Sequence, residues 1–254
     1  MFLFDADLDG RSLSAIAPEI LLLDVIERPV QEDKQTAARA LHPGLRLAHR
    51  MRQSLSVELV IMIRERNVRR RAEVMRSITE WAWGGGWLTV NTHPGERLRV
   101  VSDEPPATGS AAAWTDKITI TLTAYERPYW EADEATEVTI TDEGTLRFPG
   151  GAVDSVVEVT ATNTGAAALT TVTFRSGGTV ITLEGLNVPV GESVAIAYTD
   201  DDIMTITAAG ESALSSRTAE SDDDLRAIPN EDNTVSVSAD QSVSATFYAR
   251  GRWL

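Results

Sequence analysis

The sequence predicts a mainly-β protein in two domains: an α+β domain over residues 1–134 and an all-β sandwich over residues 135–254. Three observations carry that expectation. From Trp114 to Trp130 the chain reads W-T-D-K-I-T-I-T-L-T-A-Y-E-R-P-Y-W. There Ile118, Ile120, Leu122 and Ala124 alternate with Thr119, Thr121, Thr123 and Tyr125, the period of two of a half-buried strand. Residues 67–83 instead repeat their apolar side chains at helical spacing. Beyond residue 134, short alternating runs are separated by turn signals, and the charge balance shifts. Residues 1–134 carry 17 Lys+Arg against 20 Asp+Glu, whereas residues 135–254 carry 6 against 18, so the break in composition supports a boundary near Glu134.

In chain order, Ile20–Ile26 (I-L-L-L-D-V-I) is a short apolar run expected to form a strand buried on both faces. Residues 29–50 include Pro29, Pro43, Gly44 and many polar side chains. They read as a long polar arm or hairpin between strands, and a connection of that length in a compact domain is usually functional or mobile. Leu55, Val57, Leu59, Ile61 and Ile63 then alternate as a clear strand. Asn67, a favoured N-cap, opens the helix. Its apolar face is expected from Val68, Ala72, Met75, Ile78 and Ala82, with Arg69, Arg70, Arg71, Glu73, Arg76 and Glu80 opposite. Gly84-Gly85-Gly86 ends it, because glycine favours the left-handed turn and resists helix propagation. Trp87–Val90 and Leu98–Val101 form a predicted hairpin turning at His93-Pro94-Gly95. The first domain is therefore a split-barrel-like antiparallel sheet crossed by one helix. Pro128 removes a backbone donor and ends the pairing of the last strand.

The second half holds eight alternating runs: Val138–Ile140, Val156–Ala161, Leu169–Phe174, Val180–Leu183, Val194–Tyr198, Ile203–Thr207, Val235–Ala239 and Val243–Ala249. With turns at Asn163-Thr164-Gly165, Ser176-Gly177-Gly178 and Pro189-Val190-Gly191, they predict an antiparallel sandwich. Residues 215–234 are expected to cross irregularly between late strands.

Composition narrows the function classes. The chain has no cysteine, so disulfides and every cysteine-based metal site are excluded. No apolar run approaches the ~18 residues of a membrane span, and membrane insertion is not expected. The opening Met1–Asp7 lacks a signal-peptide pattern, which points to synthesis in a cytoplasm. A net charge of −15, carried mostly by the second half, opposes specific nucleic-acid binding.

Candidate chemistry reads weakly. Asp5-Ala6-Asp7-Leu8-Asp9-Gly10 matches the opening of a calcium loop, but Ile16 stands where a bidentate Glu is needed. Asp200–Asp202 and Asp222–Asp224 read as solvated loop carboxylates, and His42 and His49 as loop histidines. Gly210-Glu211-Ser212 lacks the second glycine of a nucleophile elbow. No catalytic, metal or cofactor residue is assigned. The arginine face of the helix (Arg69, Arg70, Arg71, Arg76) suits a solvated face or a subunit contact, and the tryptophans of the first half suit a core or an interface. Trp87, Trp114, Tyr129 and Trp130 complete the interface candidates. Phe148, Phe174, Phe247, Tyr198 and Tyr248 are expected mostly in the sandwich core.

Strand, helix, glycine turn, hairpin, then a strand closing on Tyr125-Glu126-Arg127-Pro128-Tyr129-Trp130 and an all-β domain ending at Phe247–Leu254: this order resembles the distal tail (Dit) proteins of long-tailed bacteriophages. The resemblance implies a structural, non-enzymatic virion protein without cofactors, assembled in the bacterial cytoplasm. It would form a homo-hexameric ring at the tip of the tail. The first domain would line the channel and meet the tail tube protein, with DNA only passing through. A galectin-like second domain would hold baseplate, fibre or receptor-binding proteins. The arm at residues 29–50 is expected to reach a neighbouring subunit or ring. An alternative class is a carbohydrate-binding adhesion module, in which the sandwich contacts a host glycan. A cell-wall hydrolase is disfavoured by the scarcity of histidine and the lack of a motif.

Overall fold

The computed structural model of the chain describes residues 5–38, 45–102, 117–151, 153–200 and 202–254; for 29–38 and 45–53 only the backbone is described. Strands take up 55% of it and helix 11%, so the mainly-β class predicted from the sequence holds. The chain divides into two compact units, residues 1–130 with Leu254, and Glu131–Trp253.

The first unit contains β1 (Ala6–Leu8), β2 (Arg11–Ser12), α1 (Leu13–Ile16), β3 (Ile20–Ala38), β4 (Leu45–Ile63), α2 (Val68–Trp83), β5 (Gly86–Val90), β6 (Glu96–Ser102) and β7 (Lys117–Ala124). These strands follow one antiparallel path, β2-β1-β5-β6-β7-β4-β3. Strand β6 changes partner midway: Leu98–Val100 pair with β5, and Val101–Ser102 with β7. Burial follows the alternation that predicted the strands. Leu55, Val57, Leu59, Ile61 and Ile63 are buried, as are Ala124 across from Leu55 and Leu122 across from Val57. On the opposite face, Ser56 and Thr123 hydroxyls meet at 3.1 Å.

Two expectations for this unit need correction. The run Ile20–Ile26 is not a strand buried on both faces. It begins the 19-residue β3, which ends the sheet path and, among the described residues, pairs with β4 alone. Ile20 and Leu22 are buried, the register slips between Leu22 and Asp24, and Ile26 is 40% exposed. An edge strand has a neighbour on one side only, so apolar content did not translate into burial. Residues 29–38 and 45–50 continue β3 and β4 as the two arms of one hairpin, an arrangement the sequence reading allowed, paired as far as Ala38 with Leu45. A second, one-turn helix, α1, precedes β3; Ser12 at its N-cap makes no side-chain bond, and nothing in the local pattern announced it.

Helix α2 begins where expected: Asn67 Oδ1 accepts from the backbone N–H of Arg69 (3.0 Å) and Arg70 (3.3 Å). Asn67→Ala should cost about 1 kcal/mol in a urea melt, the usual worth of such a cap. The buried face differs from the expected one. Val74, Met75, Ile78, Trp81 and Ala82 are buried, while Val68 is 62% exposed and Ala72 is exposed. Trp81 accounts for the rotation: its indole N–H donates to the Arg11 carbonyl at 2.6 Å, drawing that side of the helix onto the unit.

The second unit contains β8 (Trp130–Ala132, from its second residue), β9 (Thr136–Ile140), β10 (Glu143–Leu146), β11 (Ser155–Asn163), β12 (Leu169–Ser176), β13 (Thr179–Val188) and β14 (Ser193–Tyr198). It continues with β15 (Met204–Ala208), β16 (Glu211–Ser212), a 3-10 turn at Leu214–Ser216, β17 (Arg226–Ala227), β18 (Asn233–Ala239), β19 (Val243–Ala249) and β20 (Arg252–Trp253). All eight predicted runs are strands. One sheet runs β10-β18-β12-β13, the other β16-β15-β14-β11-β19-β9 with β17 beside β11. Phe174 from the first sheet and Phe247 from the second meet edge to face at 6.3 Å inside one shared apolar core. That is a β-sandwich. Two buried asparagines pin its loops. Asn233 donates to the carbonyls of Leu146, Ile228 and Glu231 and accepts from the Ile228 N–H, while Asn163 bridges Ala167 and Val188.

Candidate functional site

The outer face of α2 carries a cluster of arginines. Arg69, Arg70 and Arg76 are exposed and Arg71 half-buried. Their direction follows from the helix: once Met75, Ile78 and Ala82 face inward, residues near 69, 73 and 76 must face out. Arg70 is taken up within the chain, its Nε 3.3 Å from Glu19 and its Nη1 3.5 Å from Glu73. The bond to Glu19 raises the Arg70 pKa above its ordinary value. Arg69 and Arg76 remain as cations facing solvent beside Trp83, which is 65% exposed at the helix end.

The glycine turn then sets the helix against β6. Gly85 has φ +63° and its N–H donates to the Ala82 carbonyl at 3.2 Å. Trp87, the next large residue, lies under the guanidinium of Arg97, 4.0 Å from its ring centroid, with Arg127 at 5.7 Å. Such stacking of Arg on Trp is attractive and covers the indole.

The aromatic close of the unit sits inward. Tyr129 is 8% and Trp130 1% exposed. Both are packed within their own chain, which leaves little of their area for a second copy. Trp114 lies outside the described residues. Trp130 instead stacks on His93, with centroids 4.3 Å apart and planes at 4°. His93 Nε2 is 2.5 Å from Glu27 and Nδ1 2.9 Å from Glu96. The structure thus gathers Glu27, His93, Glu96 and Trp130 into one cluster that the sequence reading did not anticipate. The turn at His93–Glu96 was legible, but Glu27, 66 residues away in sequence, was not.

The acidic motifs serve as local braces. Asp5 accepts from the Ser12 and Ser14 hydroxyls, each at 2.7 Å, and from the backbone N–H of Ala6 and Ser14. Burial works to raise its pKa, but these bonds outweigh it and hold the carboxyl below its ordinary value. Asp7 caps the Gly10 N–H and Asp9 the Trp87 N–H, so the three carboxylates do not converge. In the second unit Asp222 accepts from Val180 N–H, Asp223 pairs with Arg217 and Asp224 with Arg226. Asp202 lies 3.2 Å from the buried Arg252, which is also 3.7 Å from the buried Glu131. Among the described residues, no three His, Asp or Glu side chains are placed to share a metal ion. Gly210 lies in the turn of the β15–β16 hairpin and Glu211–Ser212 form β16, so the segment is not a strand-to-helix elbow. The side chains of His42 and His49 lie outside the described residues. A shallow cavity of about 410 Å³ is lined by Leu214, Arg217, Thr218, Ala219, Ser221 and Asp223, without the aromatic platform a pyranose ring would stack on. Among the described residues, no helix is long and apolar enough to cross a membrane.

This order of parts, a β-rich unit with one main helix followed by a sandwich, is shared with solved structures of phage proteins. No protein-family model matches the chain, and no curated protein matches it in sequence. Solved structures match it in fold. The crystal structure of the Dit (gp 19.1) protein of phage SPP1, described as a paradigm of the hub adsorption apparatus in phages infecting Gram-positive hosts, superposes with a TM-score of 0.76 at 13% identity over 100% of both chains. A chain of the phage p2 baseplate in its activated conformation with strontium gives 0.54 at 9% identity, covering 98% of this chain and 97% of that one. The calcium form gives 0.50 at 11% identity, covering 99% and 98%. At these identities the likeness is one of fold, and it extends over both units.

Proposed function

We propose that this chain is a structural protein of a phage virion tail, six copies of which close into a ring at the distal end of the tail. In this reading it works by assembly rather than catalysis. The first unit faces the channel and the tail tube protein, and the galectin-like sandwich holds baseplate, fibre or receptor-binding proteins. The observation that carries the reading is the fold match to SPP1 Dit over the full length of both chains. A shared sandwich alone would carry little, because sandwiches serve many functions; the two units in the same order constrain the role far more.

A closed ring needs a heterologous contact, in which two different patches of each copy meet. The arginine face of α2 supplies one of them, through Arg69 and Arg76 with Trp83 as the apolar anchor. The hairpin of β3 and β4 is proposed to reach across to a neighbouring copy.

The test is the mass of the purified protein in solution, by light scattering behind a sizing column. One copy weighs 27.6 kDa, and a closed ring of six weighs about 166 kDa. The doubly reversed variant Arg69→Glu, Arg76→Glu is expected to run as a single copy with an unchanged circular dichroism spectrum, since reversal turns attraction across the contact into repulsion. A single copy for the unaltered protein at every concentration, also when mixed with tail tube protein, would sink the ring.

A further inference from the structure

We propose that residues 217–222 guard the long edge of the sandwich's smaller sheet and keep it from pairing with a second copy of the chain. Strand β13 (Thr179–Val188) ends the sheet β10-β18-β12-β13 and is ten residues long. It opens on T-V-I-T-L, residues 179–183, which are β-prone and hold no charge and no proline. Its pairing with β12 is regular over that stretch, from Thr171 with Glu184 to Ser176 with Thr179. Such an edge is a template for a further strand. The other path ends are blunted in ways of their own. β2 and β16 have two residues each, β10 has four, and β9 has five with Glu137 among them. β3 carries charged residues and register slips.

The guard lies along the uncharged stretch of β13. Thr218 N–H donates to the Thr182 carbonyl at 3.0 Å, and Asp222 N–H to the Val180 carbonyl at 2.8 Å. In return, Val180 N–H donates to Asp222 Oδ2 at 2.6 Å and Thr182 N–H to Ser221 Oγ at 2.9 Å. The backbone groups through which Val180 and Thr182 would join a further strand are therefore taken. Both N–H groups go to side-chain oxygens rather than to carbonyls, so the segment closes the edge without continuing the ladder. Arg217 braces the turn: its Nη2 donates to the Ser221 and Asp222 carbonyls and to Asp223 Oδ1, at 3.3, 2.8 and 3.0 Å. The flanks are fixed on the opposite sheet. There Ala213 N–H donates to the Ile206 carbonyl and Val157 N–H to the Leu225 carbonyl, each at 2.8 Å. Glu220, Asp222 and Asp223 face solvent, so a second copy approaching with the same edge meets like charge. A second copy is the partner that a bare edge would fit. Two β13 strands run antiparallel about Thr182 set Thr182 against Thr182 and Val180 against Glu184, with no like charges opposed. The guard acts within the sandwich and stands apart from the assembly reading.

The double variant Ser221→Ala, Asp222→Ala removes both side-chain acceptors and leaves the fixed flanks alone. In dilute solution, backbone hydrogen exchange at Val180 and Thr182 should quicken about tenfold, the order expected for a lost hydrogen bond. Light scattering behind a sizing column should show a mass that rises with concentration above that of the unaltered protein. Exchange at the two residues should slow again as it does. Asp222→Ala alone, which changes one exposed side chain, should associate in the same sense and more weakly. Adding Thr182→Lys to the double variant puts a charge on the uncovered edge and should return the mass to that of the unaltered protein. A mass equal to that of the unaltered protein at every concentration, in both strap variants, overturns the proposal whatever the exchange rates. Association that survives Thr182→Lys overturns it too, because it then arises from loosened packing and not from the edge.

Discussion

Replacing Phe247 with alanine should destabilise the sandwich by about 3–5 kcal/mol, the range for emptying a fully buried aromatic site. Phe247 is completely buried on β19, opposite Val138 of β9 and Val159 of β11. Its ring crosses the core to meet Phe174 edge to face, 6.3 Å away at 78°, so it joins one sheet to the other. The loss is part transfer, part cavity, with ~1 kcal/mol from the aromatic pair itself. Phe174→Ala should cost a similar amount. The double variant should cost less than the sum, because the pair can be lost only once. Urea unfolding followed by circular dichroism reads all three. A cost below 1 kcal/mol for either single change would mean that the two sheets do not share the core described.

Gly85→Ala should destabilise the first unit by about 3 kcal/mol, while Gly84→Ala next to it should be near neutral. At Gly85 two costs coincide. Its φ of +63° is a left-handed conformation, which costs a side-chain-bearing residue ~1–2 kcal/mol. An added Cβ would also lie 2.3 Å from the Val100 carbonyl oxygen and 2.8 Å from Val101 Cα. Both are backbone atoms of a strand held by β5 and β7, so neither can step aside, and overpacking adds ~1–3 kcal/mol. Gly84 has φ −77° and nothing within 4 Å of the same position. Thermal melts of the two variants make the comparison. Equal losses at both positions would argue that the glycines act through helix propensity rather than through the close approach of α2 to β6. Because the approach sets the arginine face, the Gly85 variant should also fail to form the proposed ring on a sizing column.

Much of the fold was legible in the chain. The alternations at Leu55–Ile63 and Ile118–Ala124 mark which side chains are buried, because a strand presents successive residues to opposite faces. Asn67 and Gly84-Gly85-Gly86 mark the ends of α2 through their own backbone chemistry. The sandwich strands were equally readable, down to Val243–Ala249. Strands β10, β16, β17 and β20 were not, since two to four residues cannot display a period. The candidate site was readable only in part. The outward arginines follow from helical periodicity, and so does the contrast between buried Trp81 and exposed Trp83, which lie about 200° apart around the helix. The burial of Tyr129 and Trp130 did not follow from local pattern.

By itself the sequence determined what depends on neighbours along the chain: strand and helix periods, caps, turns, the absence of cysteine chemistry, and an acidic second half. The order of those parts also sufficed for the resemblance to phage tail-tip proteins. Only the tertiary structure decided what depends on distant partners. It made β3 an edge strand despite its apolar run, rotated α2 onto Trp81 through the Arg11 carbonyl, and joined Glu27 to His93 across 66 residues. The physical reason is the same in each case. Burial and hydrogen bonding are properties of a residue's surroundings in space, and a local pattern encodes only the part of those surroundings that lies within a few residues.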